Sequence, residues 1–394
     1  MSLTEREHRH FLPTYKRLPI EVDRAEGMYI HSADGRRYLD FLGGIAVNTL
    51  GHSHPAIAAA VTRQLGRYTH LSNYFYQDAQ IEFAEKLAAM SGFPWIFLGN
   101  SGAEAMEGAI KLARSWGAAE GRREIIGFSG GFHGRTYGSL SIMDKPLYKD
   151  GMGPFLPDAR VLPFNDPEAL ERETGPTTCA IVVEFLQGEG GVRWADPAFV
   201  ARIVELQSRH GFLVIADEVQ GGAGRTGRFF SFNHFDVTPD IVTLAKGIGG
   251  GLPLGAILAS ERMGSVWSPG QHGTTFGGNA LSCAAGSVVL DMLAGGLTDH
   301  AATVGAGMLE RLRALQSSLP GLIVDVRGAG AMAGVELSTM AAPVVEAMLR
   351  RNVIINATSE RVVRLLPPLV FESSHVGEMV LALEESLREL EADG

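Results

Sequence analysis

Three apolar runs in this chain end in groups that could do chemistry together. Lys246 closes Asp240-Ile-Val-Thr-Leu-Ala-Lys246 and opens the glycine-rich Lys246-Gly-Ile-Gly-Gly-Gly-Leu-Pro-Leu-Gly255. Ala180–Val183 runs into Glu184, and Phe212–Ala216 runs into Asp217-Glu218. If these runs are parallel strands, the charged groups converge on one sheet edge, where open α/β folds collect ligands. A lysine desolvated there has a lowered pKa and becomes an amine nucleophile suited to Schiff-base chemistry. Taken alone, Lys246 reads more simply as a strand-end lysine reaching into water. Taken alone, Asp217 is equally a turn or helix cap.

Together the acids and the lysine suit a cofactor with a cationic ring nitrogen and an aldehyde. Pyridoxal phosphate needs both partners: an acid to keep its pyridine nitrogen protonated and a lysine to hold its aldehyde. Asp217 is the better ring partner because it directly ends the most hydrophobic run, where low dielectric strengthens ion pairing. A phosphate cradle is also present. Asn100-Ser-Gly-Ala103 follows the run Trp95–Leu98 and opens a helix whose free N–H groups and dipole attract anions, with Gly102 allowing close approach. The same turn also reads as a capping box, with Ser101 as N-cap and Glu104 three residues on.

Two other patterns carry less. Gly222-Ala-Gly-Arg-Thr-Gly227 matches a dinucleotide fingerprint, but Arg228-Phe-Phe-Ser-Phe-Asn-His does not continue it as a helix. His52-Ser-His54 lacks the further ligands of a metal site and fits a turn. No metal is expected.

The elements that must position these residues are legible as alternating segments. Short, continuously apolar runs at 95–98, 124–128, 180–183, 212–216, 241–245 and 255–259 read as strands covered on both faces. Helical patterns such as Ala103–Trp116 and Pro197–His210 lie between them, so a mostly parallel sheet flanked by helices is expected. From about residue 295 the rhythm changes to that of a smaller α+β unit, and a hairpin near Gly27–Tyr38 looks like part of it. The expected division is an N-terminal segment 1–45, a large domain 46–295 and a small domain 296–394. A chain of 394 residues is long enough for this.

A net charge of −10 argues against non-specific nucleic-acid binding. Cys179 and Cys283 match neither a disulfide framework nor a ligand spacing, and Cys179 beside Ala180–Val183 reads as a buried thiol. The segment Met1–His10 is too polar for a signal peptide, and no apolar stretch appears long enough to span a membrane, so a cytoplasmic location is expected.

From about Tyr15 to the final helix the chain resembles the class III (ω-) aminotransferases of fold type I, with most similarity to their acetylornithine branch. The resemblance rests on Gly44-Ile-Ala-Val-Asn-Thr-Leu-Gly-His-Ser-His-Pro55, Asn100-Ser-Gly-Ala-Glu-Ala105, Gly131-Phe-His-Gly-Arg-Thr136 and Gln187-Gly-Glu-Gly-Gly191. It continues in Asp217-Glu-Val-Gln220, Gly224-Arg-Thr-Gly227, Lys246-Gly-Ile-Gly-Gly-Gly251, Gly273-Thr-Thr-Phe-Gly-Gly-Asn279 and Arg364-Leu-Leu-Pro-Pro-Leu369.

The resemblance implies a seven-stranded, mostly parallel sheet, bound pyridoxal 5′-phosphate and a homodimer with a shared active site. It implies that Lys246 binds the cofactor and shuttles a proton, Asp217 pairs with the pyridine nitrogen and Gln220 bonds the ring hydroxyl. Phe132 and Val219 would cover the two ring faces. Ser101, Gly102 and Ala103 would hold the phosphate, and Thr275 would reach the phosphate in the neighbouring subunit. Arg135 would clamp a distal substrate carboxylate, and Arg364 the α-carboxylate of 2-oxoglutarate or glutamate. Glu189 would pair with Arg364 when an ω-amino donor binds, and Tyr15 would line the entrance.

Five positions depart from the family pattern: Ala103 in place of a frequent threonine, Met106, Phe185 and the pair Gly222-Ala223. The implied reaction moves the terminal amine of acetylornithine to 2-oxoglutarate, as in arginine biosynthesis. Ornithine, succinylornithine, 4-aminobutyrate or a carrier-bound lysine-pathway donor are the alternatives. A non-catalytic cofactor- or nucleotide-binding protein is the reading from another class, and intact Lys246 and Asp217 argue against it.

Overall fold

A computed structural model describes residues 3–392, so residues 1–2 and 393–394 of the expected end segments lie outside the described residues. Seven strands form the central sheet, in the spatial order Trp95–Gly99, Gly255–Ala259, Ile241–Leu244, Leu213–Asp217, Thr178–Val183, Glu124–Phe128 and Ala159–Leu162. The inner strands are buried along their whole length, as their unbroken apolar runs require. Helices Gly102–Gly117 and Pro197–His210 form close to their expected bounds.

Two features of the sheet were not legible in the runs. Ala159–Leu162 is an edge strand carrying Arg160, too short and polar to stand out. Gly255–Ala259 is antiparallel to both of its neighbours. A doubly buried strand is apolar in either direction, so composition cannot report its polarity.

Beyond the sheet, strands Ile323–Ala329, Met332–Leu337, Val362–Leu365 and Asn356–Ala357 make a second, antiparallel sheet. The N-terminal strands Val22–Glu26, Tyr29–Ser32 and Arg37–Asp40 form a separate sheet completed by Val353–Ile354, which pairs in parallel with Leu39 and Asp40. Asp40 then accepts a hydrogen bond from His52 (2.8 Å), tying this sheet to the loop that precedes helix Pro55–Leu65. The His52-Ser-His54 pattern is therefore part of a structural turn.

Helices Ala280–Met292 and Thr298–Ser318 run on through the turn at 293–297 into one stretch long and apolar enough to cross a membrane, contrary to the sequence expectation. Half of its apolar window is buried inside the protein, and it packs on helices Pro55–Leu65 and Asp78–Ser91, as a core helix does. Gly224 and Gly227 of the dinucleotide-like pattern have positive φ, and a Cβ on either would press on Leu293 or Ala302 at 2.8 Å. That segment is a close-packed turn. Met106 and Phe185 are fully buried core residues, and both cysteines are buried, with burial pushing their thiols up to about 11 and about 12.

Candidate active site

Three adjacent parallel strands bring Glu184, Asp217 and Lys246 to the same sheet edge. There a cavity of about 480 Å³ is lined by Lys246, Asp217, Val219, Phe132, His133, Arg135, Val47 and the 100–103 turn. Lys246 follows its strand with φ +49°, a left-handed conformation rare outside glycine, at a typical strain of about 1–3 kcal/mol. The Thr49 hydroxyl donates to the Gly247 carbonyl (2.8 Å) and holds that turn. Burial lowers the ammonium pKa, while the negative charge of Asp217 opposes the shift. The amine is thus partly desolvated yet faces a carboxylate, as a nucleophile that must also carry protons requires.

Asp217 is fixed by three donors. His133 Nδ1 lies 2.7 Å from its Oδ2, while the Val219 N–H (3.1 Å) and Thr243 hydroxyl (3.3 Å) donate to Oδ1. Burial disfavours a charged imidazole, but the hydrogen bond and charge of Asp217 outweigh it, so the His133 pKa is raised. Glu184 stands nearby, accepting the N–H groups of Phe132 (2.8 Å) and Gly188 (3.3 Å). Burial raises its pKa against the stabilising charge of His133. His133 lies between Phe132 and Arg135 in the 131–136 motif and is absent from the residues expected from the sequence. The only available signal was its place in that motif.

At the phosphate turn, Ser101 caps helix Gly102–Gly117 by accepting the Glu104 N–H (3.2 Å). The reciprocal half of the expected capping box is displaced by one residue. Glu104 accepts the Asn100 N–H (2.8 Å) and side-chain amide (2.9 Å) instead. Gly102 and Ala103, in the first turn where helix N–H groups have no intrahelical acceptor, line the cavity. A Cβ on Gly102 would come within 2.8 Å of Val219, so only glycine lets backbone and Val219 close together here.

On the substrate side, Arg364 Nη1 lies 2.6 Å from Glu189 Oε1 and donates to Gln220 Oε1 (2.9 Å). Gln220 therefore sits against the buried guanidinium, with its amide oxygen accepting from Arg364. Arg135 extends over the Tyr148 ring, 3.7 Å from its centroid. Phe132, Tyr148 and Glu189 line a second cavity of about 600 Å³ beside the first.

Two expected residues stay apart from these cavities within one chain. Tyr15 is 77 % exposed in an N-terminal stretch without regular structure and contacts Arg17. Such a stretch lacks the backbone pairing that would hold it against the domain. Thr275 is exposed, next to Thr274, whose hydroxyl accepts from Asn100 (3.1 Å).

Comparison with known proteins agrees with this geometry. The aminotransferase class-III family model matches residues 11–387. The chain is 42 % identical over 388 residues to an acetylornithine aminotransferase of Methanocaldococcus jannaschii, covering 98 % of this chain and 97 % of the relative. Among solved structures, an acetylornithine aminotransferase from Elizabethkingia anophelis is 34 % identical with a TM-score of 0.87, covering 98 % of each chain. An ornithine aminotransferase from Toxoplasma gondii, seen with partly occupied pyridoxal phosphate, is 31 % identical with a TM-score of 0.94, covering 99 % of this chain and 94 % of that one. The cavity lining fits that cofactor, since it combines the Lys246 amine, the buried and braced Asp217 carboxylate, a glycine-bearing helix N-terminus and the side chains of Phe132 and Val219. The chain belongs to the class-III aminotransferases, pyridoxal-phosphate-dependent transaminases.

Proposed function

We propose that this enzyme transfers the terminal amine of N-acetylornithine to 2-oxoglutarate, giving a semialdehyde and glutamate, as a step of arginine biosynthesis in the cytoplasm. The closed Glu189–Arg364 pair carries the reading, because it suits one pocket to two differently charged substrates. When bound, pyridoxal phosphate supplies an electron sink for the charge left as a proton leaves the amine-bearing carbon.

The protein's own groups divide the remaining work. Asp217, braced by His133, holds positive charge at the ring nitrogen. Gly102 and Ala103 hold the phosphate through their N–H groups, assisted by the helix dipole. The Lys246 Nζ moves the proton, and its lowered pKa makes it an effective base. Arg135 clamps the donor carboxylate distant from the reacting amine. With the donor bound, Glu189 neutralises Arg364. When 2-oxoglutarate enters, Glu189 moves aside and Arg364 takes the α-carboxylate.

A homodimer belongs to this reading. Tyr74, Phe75, Tyr76 and Phe276 are large apolar side chains left exposed near the loop bearing Thr275. Burying such a patch suits subunit contact and would bring Thr275 to the partner's phosphate site. The deciding experiment is a donor panel on the cofactor-loaded protein, measuring glutamate formed from 2-oxoglutarate. Acetylornithine should give the highest kcat/KM among acetylornithine, succinylornithine, ornithine and 4-aminobutyrate. A higher value for any of the others replaces the donor assignment.

A further inference from the structure

Arg135 is held in an unusual way for a residue that must meet a carboxylate. It is exposed, and among the described residues no acid lies within ion-pair distance of it. A free arginine side chain loses rotamer entropy when fixed, so an unbraced Arg135 would make a poor clamp. Its brace is aromatic. The guanidinium carbon lies 3.7 Å from the Tyr148 ring centroid and 5.6 Å from that of Phe132, and these two rings meet edge-on at 5.9 Å.

The turn bearing Tyr148 is itself anchored. Asp144 accepts the Gly130 N–H (3.2 Å), and the Lys149 ammonium donates to the Met143 carbonyl (2.7 Å). On the other side of Arg135, the Thr136 hydroxyl donates to Glu107 (2.5 Å), which fixes the backbone. The Tyr148 hydroxyl has no hydrogen-bond partner among the described residues, so the ring is the part in use.

We infer that Tyr148 is a positioning residue for the donor half-reaction: its ring holds the Arg135 guanidinium toward the donor's distal carboxylate. This rests on the assignment of Arg135 as that carboxylate's clamp. Contact over the ring face leaves the guanidinium N–H groups, which have no hydrogen-bond partner among the described residues, free for the bidentate binding that a salt bridge would have occupied.

The test compares wild type, Tyr148→Leu, Tyr148→Phe and Arg135→Ala as cofactor-loaded enzymes on two donors. One is acetylornithine, and the other is N-acetylputrescine, which keeps the amine and acyl group but lacks the carboxylate. Tyr148→Leu should raise KM for acetylornithine about fivefold to tenfold with little change in kcat, and leave KM for acetylputrescine unchanged. Tyr148→Phe should restore the wild-type KM, since it keeps the ring. Equal losses on both donors, failure of phenylalanine to rescue, or an unchanged KM in Arg135→Ala each overturn the inference. If wild type prefers ornithine or 4-aminobutyrate, the donor assignment alone fails. The same comparison then runs on that donor against its decarboxylated counterpart.

Discussion

The Arg364 guanidinium lies 2.6 Å from the Glu189 carboxylate, with the arginine side chain 1 % exposed and the glutamate 24 % exposed. A nearly buried arginine whose partner keeps a path to water is a charge that can be masked or unmasked by moving one side chain. Burial would raise the Glu189 pKa, but Arg364 lowers it overall. The pair's contribution is therefore present above the ordinary value of 4.5 and lost as pH falls through the depressed pKa.

Replacing Glu189 by glutamine should separate the two half-reactions. The buried Arg364 loses its counter-charge, so the ω-amino donor should react about tenfold or more slowly, a loss typical of a charged hydrogen bond. Reaction with glutamate, whose α-carboxylate meets Arg364 directly, should be retained. Single-turnover rates for each half-reaction measure this, and equal losses in both would contradict the switch.

The His133–Asp217 couple predicts a pH-dependent stability. The folded pKa of His133 is raised above 6.5, so its stabilising contribution is complete below that value and disappears as pH rises through the raised pKa. Thermal unfolding of the cofactor-free wild type and of His133→Phe should therefore diverge most below pH 6.5 and converge as pH rises through the raised pKa. A difference independent of pH would mean that the imidazole acts only by packing. The same variant should bind the cofactor more weakly, because Asp217 loses a charged donor.

Gly102→Ala should weaken cofactor binding about tenfold, because a Cβ 2.8 Å from Val219 must push the phosphate turn or the ring wall aside. Cofactor titration monitored by visible absorbance measures the effect. Val219→Ala added to Gly102→Ala should recover part of it. If the second substitution makes binding worse, the clash is not the cause.

Arg225 ties a mid-chain turn to the C-terminal part of the chain. Its fully buried guanidinium donates to the carbonyls of Ala331 and Pro367, and burial lowers its pKa to about 9. Arg225→Met leaves both acceptors unpaired inside the protein and should reduce unfolding free energy by about 3 kcal/mol. Chemical denaturation tests this. Because Pro367 lies three residues beyond Arg364, KM for 2-oxoglutarate should rise as well.

Much of the chemistry was readable locally. Lys246 and Asp217 sit where apolar runs end, and Ser101-Gly102 sits where a helix begins, so one-dimensional pattern places them at a sheet edge and an anion-binding terminus. Helix Pro197–His210 carries its own start and stop signals, a proline in its first turn and a glycine at its C-cap. The edge strand Ala159–Leu162 and the reversed Gly255–Ala259 carry no such signals, because neither length nor hydrophobicity encodes a strand's direction.

Taken alone, the sequence determined which groups could react and that they would gather at one edge of an α/β sheet, since strand burial and helix capping depend on neighbours in the chain. Only the tertiary structure decided what each group is bonded to. It joined His133 to Asp217 across 84 positions and set the Gln220 amide oxygen 2.9 Å from Arg364 Nη1, which also meets Glu189 as the resemblance implied. Those partnerships arise because a buried charge takes whichever acceptor the packed chain places within reach, and that choice exists only once the distant segments meet.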